Sequence, residues 1–369
     1  MPSAASLTRR SVASLLSLAP LSSASVRAEA APAPEPLSRR SAPKGSSRYR
    51  VICDNDYAGD PDGLFQLAHH ALSPSIDLVA VISSHLAVGD PFDPGNASAA
   101  HGAATARRVL ALARRSGVTV LAGGESPLAN RNTPQRSAAS AAIVAEAMRE
   151  DPRPLFVVCG AGLTEVASAY LTEPRIAERL TLIWIGGPEH RGLALPPPRR
   201  GGFEVSEYNE RIDLLAAQLV FASPIPLWQV PRDAYRQVLV SCAELDERVR
   251  PTGALGGFLV GALDDIRGKL TAAGLPLAET YVLGDSPLVL LTALQSQFEP
   301  DPSSSRYVML AAPNIADDGS YVPNPNGRPI RVYTQIDTRL IVEDLVAKLK
   351  RLDQPEWAGP STPPLSAGA

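Results

Sequence analysis

From Tyr49 onward the chain alternates short continuous apolar runs with longer segments whose apolar residues recur every three to four positions. The first kind predicts strands buried on both faces, the second helices with a core-facing side. Strands are predicted at 49–53 (YRVIC), 77–83 (DLVAVIS), 118–121, 154–159 (PLFVVC), 180–185 (LTLIWI), 225–230, 281–283 and 330–334 (IRVYT). Helices are predicted at 64–72, 99–115, 137–149, 164–171 and 212–221, with a helix-rich stretch at 245–275 and a closing amphipathic helix at 338–352. This alternation predicts an α/β fold, an open and mostly parallel sheet with helices on both faces, a Rossmann-like core.

The first 48 residues break the pattern. Arg9-Arg10 precede an apolar, Ser/Ala-rich run over 11–26, and Ala28 and Ala30 can close a cleavage site. That layout predicts an export signal over 1–30, with a hint of the twin-arginine route, and a periplasmic or secreted protein. Residues 31–48 read as a Pro/Ser linker, 49–353 as the folded domain and 354–369 as a disordered tail.

Composition narrows the chemistry. The 369 residues carry a formal charge of −3, so a sequence-wide basic footprint for nucleic acid is absent. No apolar run reaches the length of a membrane span. Five His without an HExxH pattern, and three Cys without a CxxC, argue against zinc. Cys53 and Cys159 both end strands and read as neighbours beneath a site, reduced by default.

In open α/β sheets ligands bind beyond the carboxyl ends of the strands, so the residues just past each strand are the ones to inspect for chemistry. After the first comes Asp54-Asn55-Asp56-Tyr57-Ala58-Gly59-Asp60-Pro61-Asp62, four carboxylates in nine residues. Like charges so close raise one another's pKa unless a cation neutralises them. A hard, oxygen-seeking ion such as Ca²⁺ or Mg²⁺ suits them, though the spacing is not that of an EF-hand. The bland reading is an acidic surface turn. Later strands lead into Gly160-Ala161-Gly162-Leu163-Thr164-Glu165, Gly186-Gly187 and Gly284-Asp285-Ser286-Pro287, and Glu207-Tyr208-Asn209 precedes a helix.

These pieces, in this order, resemble the inosine–uridine-type nucleoside hydrolase family, over roughly residues 49–352. The resemblance rests on the N-terminal aspartate cluster, the Cys159–Ala167 turn, Ile185-Gly186-Gly187, Glu207-Tyr208-Asn209 with Asp213, and Gly284-Asp285-Ser286-Pro287-Leu288. It implies hydrolysis of the N-glycosidic bond of ribonucleosides, with Ca²⁺ gripping the ribose. By the same resemblance Asp56 activates the attacking water, and Asp56, Asp60, Asp62, Asp285 and the Thr164 carbonyl are candidate calcium ligands. Asp54, Asn96, Glu207 and Asn209 are candidate substrate contacts. No organic cofactor or macromolecular partner is implied, and a homo-oligomer is left open.

The chain departs from the family pattern in three places. Asp60-Pro61-Asp62 stands where two adjacent aspartates are usual, which leaves open which of the two is the ligand. Glu165 stands where Asn is usual. Gly284 stands where a His often protonates the leaving base, and His85 is the candidate substitute. Two rival readings compete with this one. The first is a haloacid-dehalogenase-type phosphatase, which accounts for Asp54-Asn55-Asp56 but not for Glu207-Tyr208-Asn209. The second is a non-catalytic binder of sugars or nucleosides, or a calcium-stabilised scaffold.

Overall fold

Six strands lead the fold: β1 (Tyr49–Asn55), β2 (Ile76–Ser83), β3 (Thr119–Ala122), β4 (Leu155–Cys159), β5 (Leu180–Ile185) and β6 (Leu227–Val230). They lie parallel in the order β3-β2-β1-β4-β5-β6. Strand Pro329–Gln335 continues in parallel beside β6, and Arg306–Ala311 closes the eight-stranded sheet antiparallel to it. The sequence pattern foresaw the parallel strands but not that edge strand. This computed structural model describes residues 47–193, 206–296 and 304–354. The export signal, most of the linker and all but the start of the C-terminal tail lie outside the described residues.

Alternate residues of each strand feed two separate cores, as a sheet covered on both faces requires. Val51 and Cys53 of β1 pack with α1 (Asp62–Ala71), α2 (Ser98–Leu112) and the closing helix Thr338–Leu352. Ile52 packs on the other side with α3 (Ala138–Ala147), α4 (Thr164–Thr172) and the helix Leu214–Ala222. Cys159 belongs to that second core, so it and Cys53 face opposite layers; all three cysteines are free. The expected neighbouring pair is therefore not formed. Trp184, fully buried, donates from its ring N–H to the Ala161 carbonyl at 3.0 Å and is a core residue.

The helix expected at 212–221 is two helices, Tyr208–Ile212 and Leu214–Ala222. Asp213 breaks it by capping the second, its carboxylate accepting from the Ala216 N–H at 3.0 Å. The predicted strand at 281–283 forms as Thr280–Val282, outside the main sheet, paired antiparallel with Leu239–Ser241.

The closing helix is tied to α1 and the turn after it by polar contacts. His69 Nε2 lies 2.7 Å from Asp344 Oδ2, and Lys348 Nζ donates to Ser73 Oγ at 2.8 Å. Burial pushes His69 down to about 4, so the folded protein holds it neutral where an unfolded chain would protonate it. Its contribution to stability is full above about pH 6.5 and is lost as pH falls toward 4. The wild-type Tm is expected to fall more steeply between pH 7 and 5 than that of His69→Gln, which has nothing to titrate there. Parallel slopes in a thermal melt series would contradict this.

Candidate active site

The strand order reverses between β1 and β4, which is where an open sheet leaves a crevice at its carboxyl edge. Three segments meet there. β1 ends in Asp54, Asn55 and Asp56; α1 begins at Asp62; the turn before Pro287 brings Asp285. Asn55 Nδ2 donates to Asp285 Oδ2 at 2.8 Å, and Asp62 Oδ2 accepts from the Asp285 N–H at 3.2 Å. Asp62 Oδ1 also accepts from the N–H of the next residue, Gly63, at 2.8 Å in the first turn of α1.

The electrostatics of the cluster are a consequence of that packing. Burial first, then the charges of Asp285 and Asp60, push Asp56 well above the usual carboxylate range. Asp62 is raised in the same way, by burial and then by Asp285, Asp60 and Asp56. Asp285 is pushed up to about 7, mainly by burial and partly offset by the Asn55 hydrogen bond.

The two aspartates left open by the sequence separate here. Asp62 is half-buried and tied to Asp285, whereas Asp60 is exposed at the rim and accepts from the Tyr281 hydroxyl at 2.8 Å. Asp54 lies fully buried below the crevice floor, one oxygen taking the Ser84 hydroxyl and Oδ2 without a partner. Thr164 opens α4 with its hydroxyl given to Asp213 at 2.7 Å. The residue of that glycine-rich turn in contact with Asp285 is Gly160. A Cβ there would stand 2.6 Å from Asn55 Nδ2 and 2.7 Å from Asp285 Oδ1. Gly160→Ala is thus expected to cost about 1–3 kcal/mol of stability and to force Asn55 and Asp285 apart. Chemical denaturation and turnover, measured together, check both effects.

Glu207 and Asn209 stand at the ends of β4 and β5. Glu207 accepts from the Gly187 N–H (2.8 Å), the Glu210 N–H (3.0 Å) and the Tyr235 hydroxyl (2.9 Å). Asn209 Nδ2 donates to the carbonyls of Gly160 (3.1 Å) and Ile185 (2.8 Å). Between them Tyr208 gives its hydroxyl to Asp90 at 2.6 Å, which anchors residues 86–95, a stretch that reads as an insertion against the family pattern, to this side of the crevice.

Two expected contacts stand apart from these hydrogen bonds. Asn96, just past the insertion, is exposed. His85 is buried with Nδ1 2.9 Å from the Leu86 carbonyl and Nε2 3.2 Å from Thr164 Oγ1, so neither nitrogen is free for a leaving base. The groups beside Gly284 are Asp62 Oδ2 and the Tyr235 ring, each 3.2 Å from where a Cβ would lie, so a larger residue there would press on both. Sequence reading missed Asn55, Gly160 and Tyr235. Asn55 sat in plain view between two aspartates, and nothing local marked the other two.

A doubly wound α/β protein with a carboxylate-lined crevice at its switch point defines a class of small-molecule enzyme sites. Residues 51–339 match the model of the inosine-uridine preferring nucleoside hydrolase family, and the chain belongs to that family, among hydrolases that act on N-glycosyl bonds. It is 29% identical over 278 residues to an inosine-uridine preferring nucleoside hydrolase of Leishmania major, covering 66% of this chain and 81% of that protein. It is 27% identical to the pyrimidine-specific ribonucleoside hydrolase RihA of Salmonella arizonae over 58% of this chain and 70% of that one. The solved purine-preferring ribonucleoside hydrolase of Gardnerella vaginalis shares the fold, with a TM-score of 0.63 at 16% identity over 82% of this chain and 98% of that one.

Proposed function

We propose that the protein hydrolyses the N-glycosidic bond of ribonucleosides with Ca²⁺ at the carboxylate cluster and Asp56 as the base that takes a proton from the attacking water. The observation that carries this reading is the meeting of Asp56, Asp62 and Asp285, from three separate segments, at the switch-point crevice. Among the described residues, no three His, Cys, Asp or Glu side chains form a group able to hold a metal ion as they stand. The donor chemistry nonetheless fits a hard cation: the side chains of Asp56, Asp62 and Asp285 offer carboxylate oxygens, the ligands such an ion takes. Asp56, Asp62 and Asp285 would hold it. When bound, such an ion supplies charge compensation, orients a sugar diol and acidifies water.

The chain's own groups do the rest. Asp56, buried just past the end of β1 beside the other carboxylates, is placed to take the proton of the attacking water. Glu207, held by three donors, keeps acceptor capacity for a sugar hydroxyl. Asn209 spends both N–H groups on backbone, so its carbonyl oxygen is what it offers a substrate. Cleavage of the ribosyl C–N bond through an oxocarbenium-like state needs these acceptors around the ring.

The test is a panel of purine and pyrimidine nucleosides assayed for base and reducing-sugar release, with and without a chelator. Release that stops on chelation supports the reading. Tight nucleoside binding with no base released over hours, or phosphate release from an aryl phosphate instead, overturns it.

A further inference from the structure

Behind the crevice, Asp285 is tied into the core by a chain of buried side chains. Asn55 Nδ2 donates to Asp285 Oδ2 at 2.8 Å and to Gln66 Oε1 at 3.3 Å. Gln66 Nε2 meets His70 Nδ1 on one side and Cys53 Sγ at 3.4 Å on the other. His70 Nε2 lies 3.0 Å from Thr292 Oγ1. Asn55, Gln66, His70 and Thr292 are all at most 1% exposed.

The polarity of every link is set by the backbone groups at the two ends. The Asp56 N–H donates to Asn55 Oδ1 at 2.8 Å, so the N–H side of that amide faces Asp285 and Gln66. Gln66 must then accept with Oε1 and donate with Nε2. His70 Nδ1 therefore carries the lone pair, and the ring proton sits on Nε2. Thr292 accepts that proton because its own hydroxyl hydrogen goes to the Leu288 carbonyl at 2.7 Å. Reversing any link would set two donors or two acceptors face to face among buried side chains.

The chain also has a helical logic. Asp62, Gln66 and His70 are spaced by four on α1 and so share one face. Thr292 comes just after the short helix Pro287–Leu290, which begins directly after the Asp285 turn. The network thus joins α1 to the segment that carries Asp285, and leaves the Asp285 Oδ1 side against Gly160.

We propose that Gln66 and His70 are positioning residues: through Asn55 they hold the Asp285 carboxylate in one orientation, so that the ligand it presents to the crevice is pre-set. The inference rests on the role given to Asp285 above.

The experiment compares Gln66→Leu, His70→Leu and His70→Asn with the wild-type full-length protein. Leucine keeps the packing and removes the links. Asparagine at 70 puts an oxygen where Nδ1 stood and keeps an acceptor for Gln66. The readouts are calcium affinity by calorimetry on chelator-stripped protein, kcat and KM with a nucleoside, and the side-chain amide resonances of Asn55. Gln66→Leu and His70→Leu are expected to weaken calcium binding about 10- to 100-fold and to shift the Asn55 amide resonances, with His70→Asn restoring most of both. Wild-type calcium affinity in both leucine variants overturns the proposal, and so does a His70→Asn variant as impaired as His70→Leu. A wild-type protein that binds no calcium and releases no base defeats the functional reading instead. The relay then stands if the Asn55 resonances move as described and falls if they do not. Should the leucine variants not fold, the nitrogen-15 shifts of His70 in the wild type decide: an Nε2–H tautomer upholds the chain, and an Nδ1–H or doubly protonated ring overturns it.

Discussion

Asp56→Asn is expected to lower turnover about a hundred- to ten-thousandfold while leaving nucleoside binding in calcium close to that of the wild type. The substitution preserves shape and an oxygen that can still touch a cation, but the amide cannot take a proton. Asp56 is the residue for this test because it is largely buried just past the end of β1, beside the charges of Asp285 and Asp60. Added calcium should not rescue the variant, since the lost function is proton acceptance rather than ion binding. Single-turnover hydrolysis beside equilibrium binding, across a calcium titration, separates the two. Near-native turnover, or recovery with excess calcium, would remove Asp56 from its assigned role.

Chelation is expected to lower thermal stability as well as activity, and the size of the drop should depend on pH. An ion held at a hundredfold excess over its Kd adds about 2.7 kcal/mol to the folded state. The pH dependence comes from the carboxylates. Asp285 is raised to about 7 in the folded chain, so the folded state binds more protons than the unfolded one between roughly pH 4 and 7. Without the ion, the stability from this group is full below the unfolded pKa and is lost as pH rises through 7. Calcium, which favours the ionised form, should therefore raise Tm more at pH 8 than at pH 5. Asp285→Ala should lose most of that calcium-dependent increment and regain part of its activity at high calcium. An equal melting temperature with calcium and with EDTA at pH 8 would contradict the assignment of the cluster.

The parts of the site differ in how visible they are along the chain. The run from Asp54 to Asp62 announces itself because acidic residues seldom come directly after a buried strand. Glu207 and Asn209 were found through the resemblance, and the structure places them on the ends of β4 and β5. Asn96 had only its neighbourhood in sequence to recommend it, and it is exposed. His85 comes after β2 as the pattern suggested, but its two nitrogens are absorbed by Leu86 and Thr164. Sequence cannot show how a side chain's hydrogen bonds are spent.

The chain by itself determined the parallel core, because strands buried on both faces must be apolar throughout and the helices between them must carry a periodic apolar face. It did not show the edge strand Arg306–Ala311, whose side chains are exposed or half-exposed along its length and so leave no burial signature. Only the tertiary structure chose Asp62 over Asp60 and Gly160 over Thr164 as neighbours of Asp285, and only it joined Asn55, Gln66 and His70 into one chain. Those choices depend on contacts between segments as far apart as Asn55 and Asp285, 230 residues along the chain. Local periodicity records which face of an element is buried. It carries no record of which distant group that face will meet, because that is set by how the layers pack around the switch point.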